Sequence, residues 1–484
     1  MHDFERIGEL SHPEGVSPRR VSIHLSEADG VESGAKDREL DLAVVIERAK
    51  TSAGRWAAEA ARIRDSLAAD GVAFVRPAAA GSRRRIGTAL RAAGLVVTPL
   101  AYLPSFDAQS HVLRQDGVAL RFALAELASL GHRRAAATRA LAAVSTRAAW
   151  SLVPHDVALV ARRPGARPLF AWLFDAASVR ADHGSVVVSS DRRLDDATLI
   201  LRVLEGDRPV AVAKAGVDGA SGRRIRADHE HAELLRKDAS SAGAVVPHTL
   251  AFEDRARTVT LCRSALPGVV AARILGAAPA RLPELTEHLA QWLRSWAATT
   301  AEQRPLEPIL RRDLLQPARE LSPLLANGDE YVAGLEALCS RVDGLPSVAT
   351  HNDLTMWNVV VPDEHDALGI VDWEAARVDG LPLVDLYYSF VDASAATNRY
   401  DDRVASWRAC FEPSGSHVGT ARRLEESIRR DLRLSNDAAA ACFHACWVHH
   451  AANERRQLAG SRGPFLAIVD HLSRRDDVSV WGGR

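Results

Sequence analysis

The sequence predicts an α+β chain in which an incomplete α/β module precedes a small antiparallel sheet and a long helical body. Three observations carry that expectation. Strand-like and amphipathic helix-like runs alternate between 40 and 160, and three short apolar runs separated by polar turns follow between 185 and 215. From 280 onward the pattern is helical, with one interruption at 351–386. A length of 484 residues, 47% of them apolar, allows large buried cores and suggests two to four domains.

Residues 1–36 are polar, contain Pro and Gly and keep no period, which predicts a flexible tail. Residues 37–163 form the α/β module. It has an LDLAVV strand from 40, an amphipathic helix from Gly54 to Leu67, a GVAFVRP strand at 71–77 and a helix from Arg83 to Ala93. An irregular stretch, LPSFDAQSHVL at 103–113, precedes helical Ala/Leu/Arg-rich sequence and a closing HDVALVAR strand. The layout resembles the carboxy-terminal half of a class I methyltransferase, a partial Rossmann-like module. The glycine-rich turn and ribose-binding acid of such a fold would have to precede LDLAVV, where too few residues remain. The module is therefore expected to be structural.

RRPGARP at 162–168 reads as a linker, because its prolines and charges disfavour helix and central strand. SVVVSS, ATLILRVL and PVAVAKA then predict an antiparallel meander. A charged helix from Gly222 to Asp238 and the strands VVPHTLAF and RTVTLCRS complete a sheet-rich segment over 168–265, with the helical body at 266–484.

The interruption reads HNDLTMWNVVVPDEHDALGIVDWEAARVDGLPLVDL. His351 and Asp353 stand as His-x-Asp, Asn358 follows five residues after the Asp, and Asp372 comes after a short hairpin flanked by VVV and GIV. This spacing, followed by GLPLVDL, resembles the aminoglycoside phosphotransferase and choline kinase family. The resemblance implies a two-lobed protein-kinase-like fold, a small antiparallel sheet lobe plus a helical lobe. It also implies transfer of the γ-phosphate of ATP or GTP to a hydroxyl of a small molecule.

The chemistry explains the residue types. Phosphoryl transfer proceeds through a loose transition state, so the protein positions groups and offsets charge. Mg²⁺ prefers hard oxygen ligands, a role that suits Asn358 and Asp372. Asp353 is the candidate catalytic carboxylate that accepts or orients the hydroxyl proton. His351 and Asp385 are expected to brace the loop. Each residue alone could be an ordinary polar turn or strand end.

The resemblance further places Lys214, one of only four lysines, on the strand that meets the α- and β-phosphates, with Glu230 as its acidic partner rather than Glu233. Backbone groups near Arg263 and Ala265 would meet the nucleotide base, and Gly268 would turn the chain into the helical lobe. The turn SSDRRLDD lacks the glycines that close over phosphate in protein kinases. Ser189 and Ser190 could donate to phosphate there, whereas Asp191, Asp195 and Asp196 would repel it.

A formal charge of −1 gives no overall field toward nucleic acid or an anionic membrane. No apolar run approaches the ~20 residues of a membrane span, and the start lacks the order of a secretory signal, which predicts a cytoplasmic protein. Cys262, Cys339, Cys410, Cys442 and Cys446, an odd and scattered set, argue against a disulfide framework. Cys442, Cys446, His449 and His450 could hold a metal on one helix, but the plainer reading is a buried face of small residues beside polar histidines.

The leading expectation is an enzyme acting on a sugar, aminocyclitol or amino alcohol. A non-catalytic nucleotide-binding or scaffolding protein is the second, and a joint methyltransferase and kinase the third. Neither nucleic acid nor membrane is expected as a partner; the acceptor and the oligomeric state are not readable.

Overall fold

A computed structural model describes residues 21–26, 40–47, 52–77, 80–104, 109–114, 117–129, 133–152, 156–166, 171–179, 184–191, 198–206, 208–216, 219–254, 259–362, 367–457, 462–475 and 477–481. Two compact units contain them, one of Met1–Arg226 with His248–Ala265, the other of Ala227–Pro247 with Leu266–Arg484.

The first unit is built on one sheet of 11 strands. In spatial order they are Val21–Ser26, Leu40–Glu47, Leu67–Arg76, Asp156–Arg162, Val96–Pro104, Gln109–Arg114, Gly184–Asp191, Leu199–Glu205, Arg208–Gly216, Val259–Ser264 and Thr249–Asp254. The first three run parallel and every later pairing is antiparallel. The last five form a continuous antiparallel run.

Three expectations change here. Residues 21–26, read as part of a tail, form a strand parallel to Leu40–Glu47, and the alternation of Val21, Ile23 and Leu25 accounts for it. The stretch read as irregular holds paired strand at its two ends, with Leu103 opposite His111, because Pro104 ends one strand rather than prohibiting it; residues 105–108 between them lie outside the described residues. The α/β segment is also not separate from the antiparallel strands that follow it: Gln109–Arg114 pairs with Gly184–Asp191, His111 in register with Ser189 and Val112 with Val188. This covers an edge that a free-standing meander would leave open.

The second unit is mainly helical. Leu282–Thr300 shows why: Leu282, Leu285, Leu289, Trp292, Leu293 and Trp296 recur three and four apart and are all buried. Asp402 caps Arg403–Phe411 by accepting the Ala405 N–H at 2.8 Å. Trp296, Trp373, Trp407 and Trp447 belong to one large core. Two small sheets interrupt the helices: Val348–Thr350 pairs with Arg377–Gly380, and Val359–Val361 pairs with Leu368–Ile370. Gly268, at φ 125°, lies so near the Val361 carbonyl that a side chain would collide with it. Among the described residues no helix is long and apolar enough to cross a membrane.

Candidate active site

The strand Val348–Thr350 delivers the chain into a loop that ends at Val359–Val361, and a second loop follows Leu368–Ile370. Together these loops hold His351, Asp353, Asn358 and Asp372, and the helix Val384–Thr397 begins beside them with Asp385 in its first turn. Asp385 is buried and accepts two consecutive backbone N–H groups, from His351 at 2.7 Å and Asn352 at 2.8 Å. Asn352 is left-handed at φ 60°, and its side chain donates to the Ala375 carbonyl at 3.1 Å.

His351 is fully buried, with Nε2 3.0 Å from the Val371 carbonyl. A carbonyl only accepts, so the proton sits on Nε2. Burial pulls this imidazole below its ordinary value and keeps it neutral. It ties the first loop to the residue before Asp372.

The amide nitrogen of Asn358 donates to the Asp353 carbonyl at 2.8 Å. That bond orients the side chain and leaves Oδ1 as the end suited to a cation. Asp353 is half-buried, 3.4 Å from the Tyr388 hydroxyl. Burial, with the Asp372, Asp392 and Glu374 charges adding to it, pushes the Asp353 carboxyl up to about 7, against a pull down from Tyr388. An accumulation of carboxylates that a cation would relieve, beside one oriented amide oxygen, fits Mg²⁺, which takes few protein ligands and completes its shell with water and phosphate. Among the described residues no group of three or more His, Cys, Asp or Glu forms a metal site, Cys442, Cys446, His449 and His450 included. Burial pushes the Cys442 thiol up to about 12, as expected of an inert core cysteine.

Several residues at this site gave no readable signal as part of a motif. Asp392, fully buried two turns after Asp385, accepts the Met356 N–H at 2.6 Å and the Tyr400 hydroxyl at 3.0 Å, and pairs with Arg403 at 3.0 Å. Tyr388 stacks on His450 at 3.6 Å between ring centroids. A recess beside the loop is lined by Asp313, Asn352, Val384, Asp385, His449 and His450.

The remaining candidates lie on other elements. Lys214 is in the first unit, half-buried on Arg208–Gly216 and opposite Ile200 and Leu261. Ser189 and Ser190 lie within the strand Gly184–Asp191, while residues 192–197 of the expected phosphate turn, with Asp195 and Asp196, lie outside the described residues. Arg263 is buried opposite Val212. The Ala265 N–H, one of the backbone groups in the stretch expected near a nucleotide base, donates to the Val210 carbonyl at 3.0 Å. Glu230 is exposed on Gly219–Ser241, whereas Asp228 on the same helix is fully buried and accepts the Trp373 N–H at 3.0 Å. Asp228 falls in the stripe Ile225, Asp228, Ala232, Leu235, Ala239, and a charge inside an apolar stripe is the signal that would have found it.

Residues 192–414, which contain both loops, match the model of the phosphotransferase enzyme family. That stretch is a little under half of the chain, and the likeness to the family is confined to it. That match begins beyond residues 37–163 and leaves their methyltransferase resemblance without support. Among solved structures the chain is similar to aminoglycoside phosphotransferase APH(3'')-Id from Streptomyces rimosus, at 18% identity over 52% of this chain and 89% of that one, with a TM-score of 0.34. It is also similar to a putative fructosamine-3-kinase from Haemophilus somnus, at 12% identity over 57% and 86%, TM-score 0.35. A third is aminoglycoside phosphotransferase APH(2")-IIa in its streptomycin and ATP complex, at 11% identity over 65% and 97%, TM-score 0.36. No curated protein matches the chain.

Proposed function

We propose that the phosphotransferase-family domain moves the γ-phosphate of ATP or GTP onto a hydroxyl of a small molecule such as a sugar, aminocyclitol or amino alcohol. The observation that carries this reading is the joint placement of Asp353, Asn358 and Asp372, with Asn358 oriented by the Asp353 carbonyl.

In this reading Asp353 takes the proton of the attacking hydroxyl. The acceptor oxygen then bonds to the γ-phosphorus while the bond to the β,γ-bridging oxygen breaks and nucleoside diphosphate leaves. Asn358 and Asp372 would hold Mg²⁺, which neutralises phosphate charge when bound. His351 and Asp385 keep the loop in register, and Lys214 meets the α- and β-phosphates with Glu230 as its acid. Ser189 and Ser190 donate to phosphate, and backbone atoms near Arg263 and Ala265, other than the engaged Ala265 N–H, face the base.

The test is thermal stabilisation by ATP and GTP with and without Mg²⁺, followed by nucleoside diphosphate release across a panel of hydroxyl acceptors. Asp353→Ala should retain nucleotide and lose turnover. The glycine-free turn SSDRRLDD favours one second reading, a nucleotide-binding scaffold without turnover. Mg²⁺-dependent binding with no diphosphate release from any acceptor would select it.

A further inference from the structure

The loop bearing Asp372 is gripped by the helix Gly219–Ser241. Asp372 stands at φ 67°, a left-handed conformation that residues with a side chain rarely adopt unless their surroundings hold them there. The next residue supplies the hold. Trp373 gives its N–H to Asp228 Oδ1 at 3.0 Å, and its carbonyl accepts from Ala376 N–H at 3.0 Å and lies 3.1 Å from His231 Nδ1. Because a carbonyl only accepts, the His231 proton sits on Nδ1. Asp228 and His231 are three residues apart and share one helix face.

The Trp373 ring is fixed as well. It is fully buried, donates Nε1–H to the Ile370 carbonyl at 3.1 Å, and packs against His351 at 5.0 Å and Trp296 at 5.9 Å between centroids. Both backbone polar groups of the residue after Asp372 are therefore bound by one helix, so Asp372 cannot relax by peptide rotation without breaking those bonds.

We propose that Asp228 and His231 are positioning residues that set the direction of the Asp372 carboxylate and thereby its affinity for Mg²⁺. The inference rests on the reading of Asp372 as a metal ligand. Groups that orient metal ligands from outside typically govern affinity by ~10- to 100-fold.

The test uses the full chain and mant-ATP as fluorescent probe, with the Mg²⁺ concentration that half-saturates nucleotide binding as the readout. His231→Ala and Asp228→Ala should each raise that concentration roughly tenfold or more, with mant-ATP affinity at saturating Mg²⁺ changed less than about threefold. His231→Asn, which keeps an N–H close to the position of Nδ1, should restore the parent value. A merely structural loss would lower the melting temperature and weaken binding at every Mg²⁺ concentration alike. Asp372→Ala separates the two claims. If it raises the Mg²⁺ requirement and His231→Ala does not, the clamp is wrong; if Asp372→Ala itself has no effect, or no mant-ATP binds, the functional reading fails and the clamp with it. Should Asp228→Ala not fold, the His231 pair decides alone.

Discussion

Asp385 accepts the backbone N–H of His351 at 2.7 Å, and the same carboxylate accepts the next N–H, of Asn352, at 2.8 Å. A residue at the start of one helix thus fixes the first peptides of the loop that carries Asp353. Asp385→Ala leaves two donors without that acceptor, each worth about 1–3 kcal/mol when buried. Its melting temperature should fall by several degrees, and kcat should fall more than KM rises. Unchanged kcat in folded Asp385→Ala protein would show that the loop holds itself.

Asp392 and Arg403 form a second, deeper pair. Arg403→Met removes the cation from a fully buried carboxylate that still holds Met356 N–H and the Tyr400 hydroxyl. The expected loss is about 3–5 kcal/mol in urea denaturation, because the remaining charge is stranded. Adding Asp392→Asn to Arg403→Met should recover most of it. No recovery would mean that Arg403 acts through its packing over Tyr400 and Phe465 rather than through charge.

Glu425 provides a pH test away from the loops. Burial pushes its carboxyl from the ordinary 4.5 up to about 7, against pulls down from Tyr387, Trp481 and Arg429. Between those values the folded chain keeps a proton that the unfolded chain has released. The stability this confers is complete below about 4.5 and is lost as pH rises through 7. Glu425→Gln should therefore exceed the parent in stability at pH 8, by on the order of 1–3 kcal/mol, and match it near pH 4.5. A difference that grows toward acid would reverse the assignment.

In the proposed reading Asp353 acts as its carboxylate, so activity should be lost as pH falls from about 7, the value to which its burial and neighbouring acids push it. Asp353→Asn should lower kcat by ~10²- to 10⁴-fold and abolish that acid limb. A residual rate that keeps the parent pH profile would assign the proton transfer to another group.

The loop residues stood out as candidates because the proposed chemistry is written in side chains at fixed spacing: His351, Asp353, Asn358 and Asp372 lie within 22 residues of one another. The helix Gly219–Ser241 was legible as a helix, but its link to the site was not. Asp228 and His231 bind backbone atoms of Trp373, more than 140 residues away, and a backbone partner leaves no trace in residue type. Glu230 was chosen from a spacing rule, yet the apolar stripe through Ala232 and Leu235 turns Asp228 inward and Glu230 outward. The engaged Ala265 amide and the pairing of Gln109–Arg114 with Gly184–Asp191 were hidden for the same reason. The strand at 103–104 and 109–113 was hidden because Pro104 and Asp107 resemble loop punctuation.

The most direct measurement is ³¹P NMR of the full chain with ATP or GTP, Mg²⁺ and a panel of sugars, aminocyclitols and amino alcohols. The γ-phosphorus signal should convert to a phosphomonoester with matching nucleoside diphosphate in the parent and not in Asp353→Asn. Conversion that proceeds equally in Asp353→Asn, or a γ-phosphorus that stays on the nucleotide with every acceptor, would contradict the assignment of these loops to phosphoryl transfer.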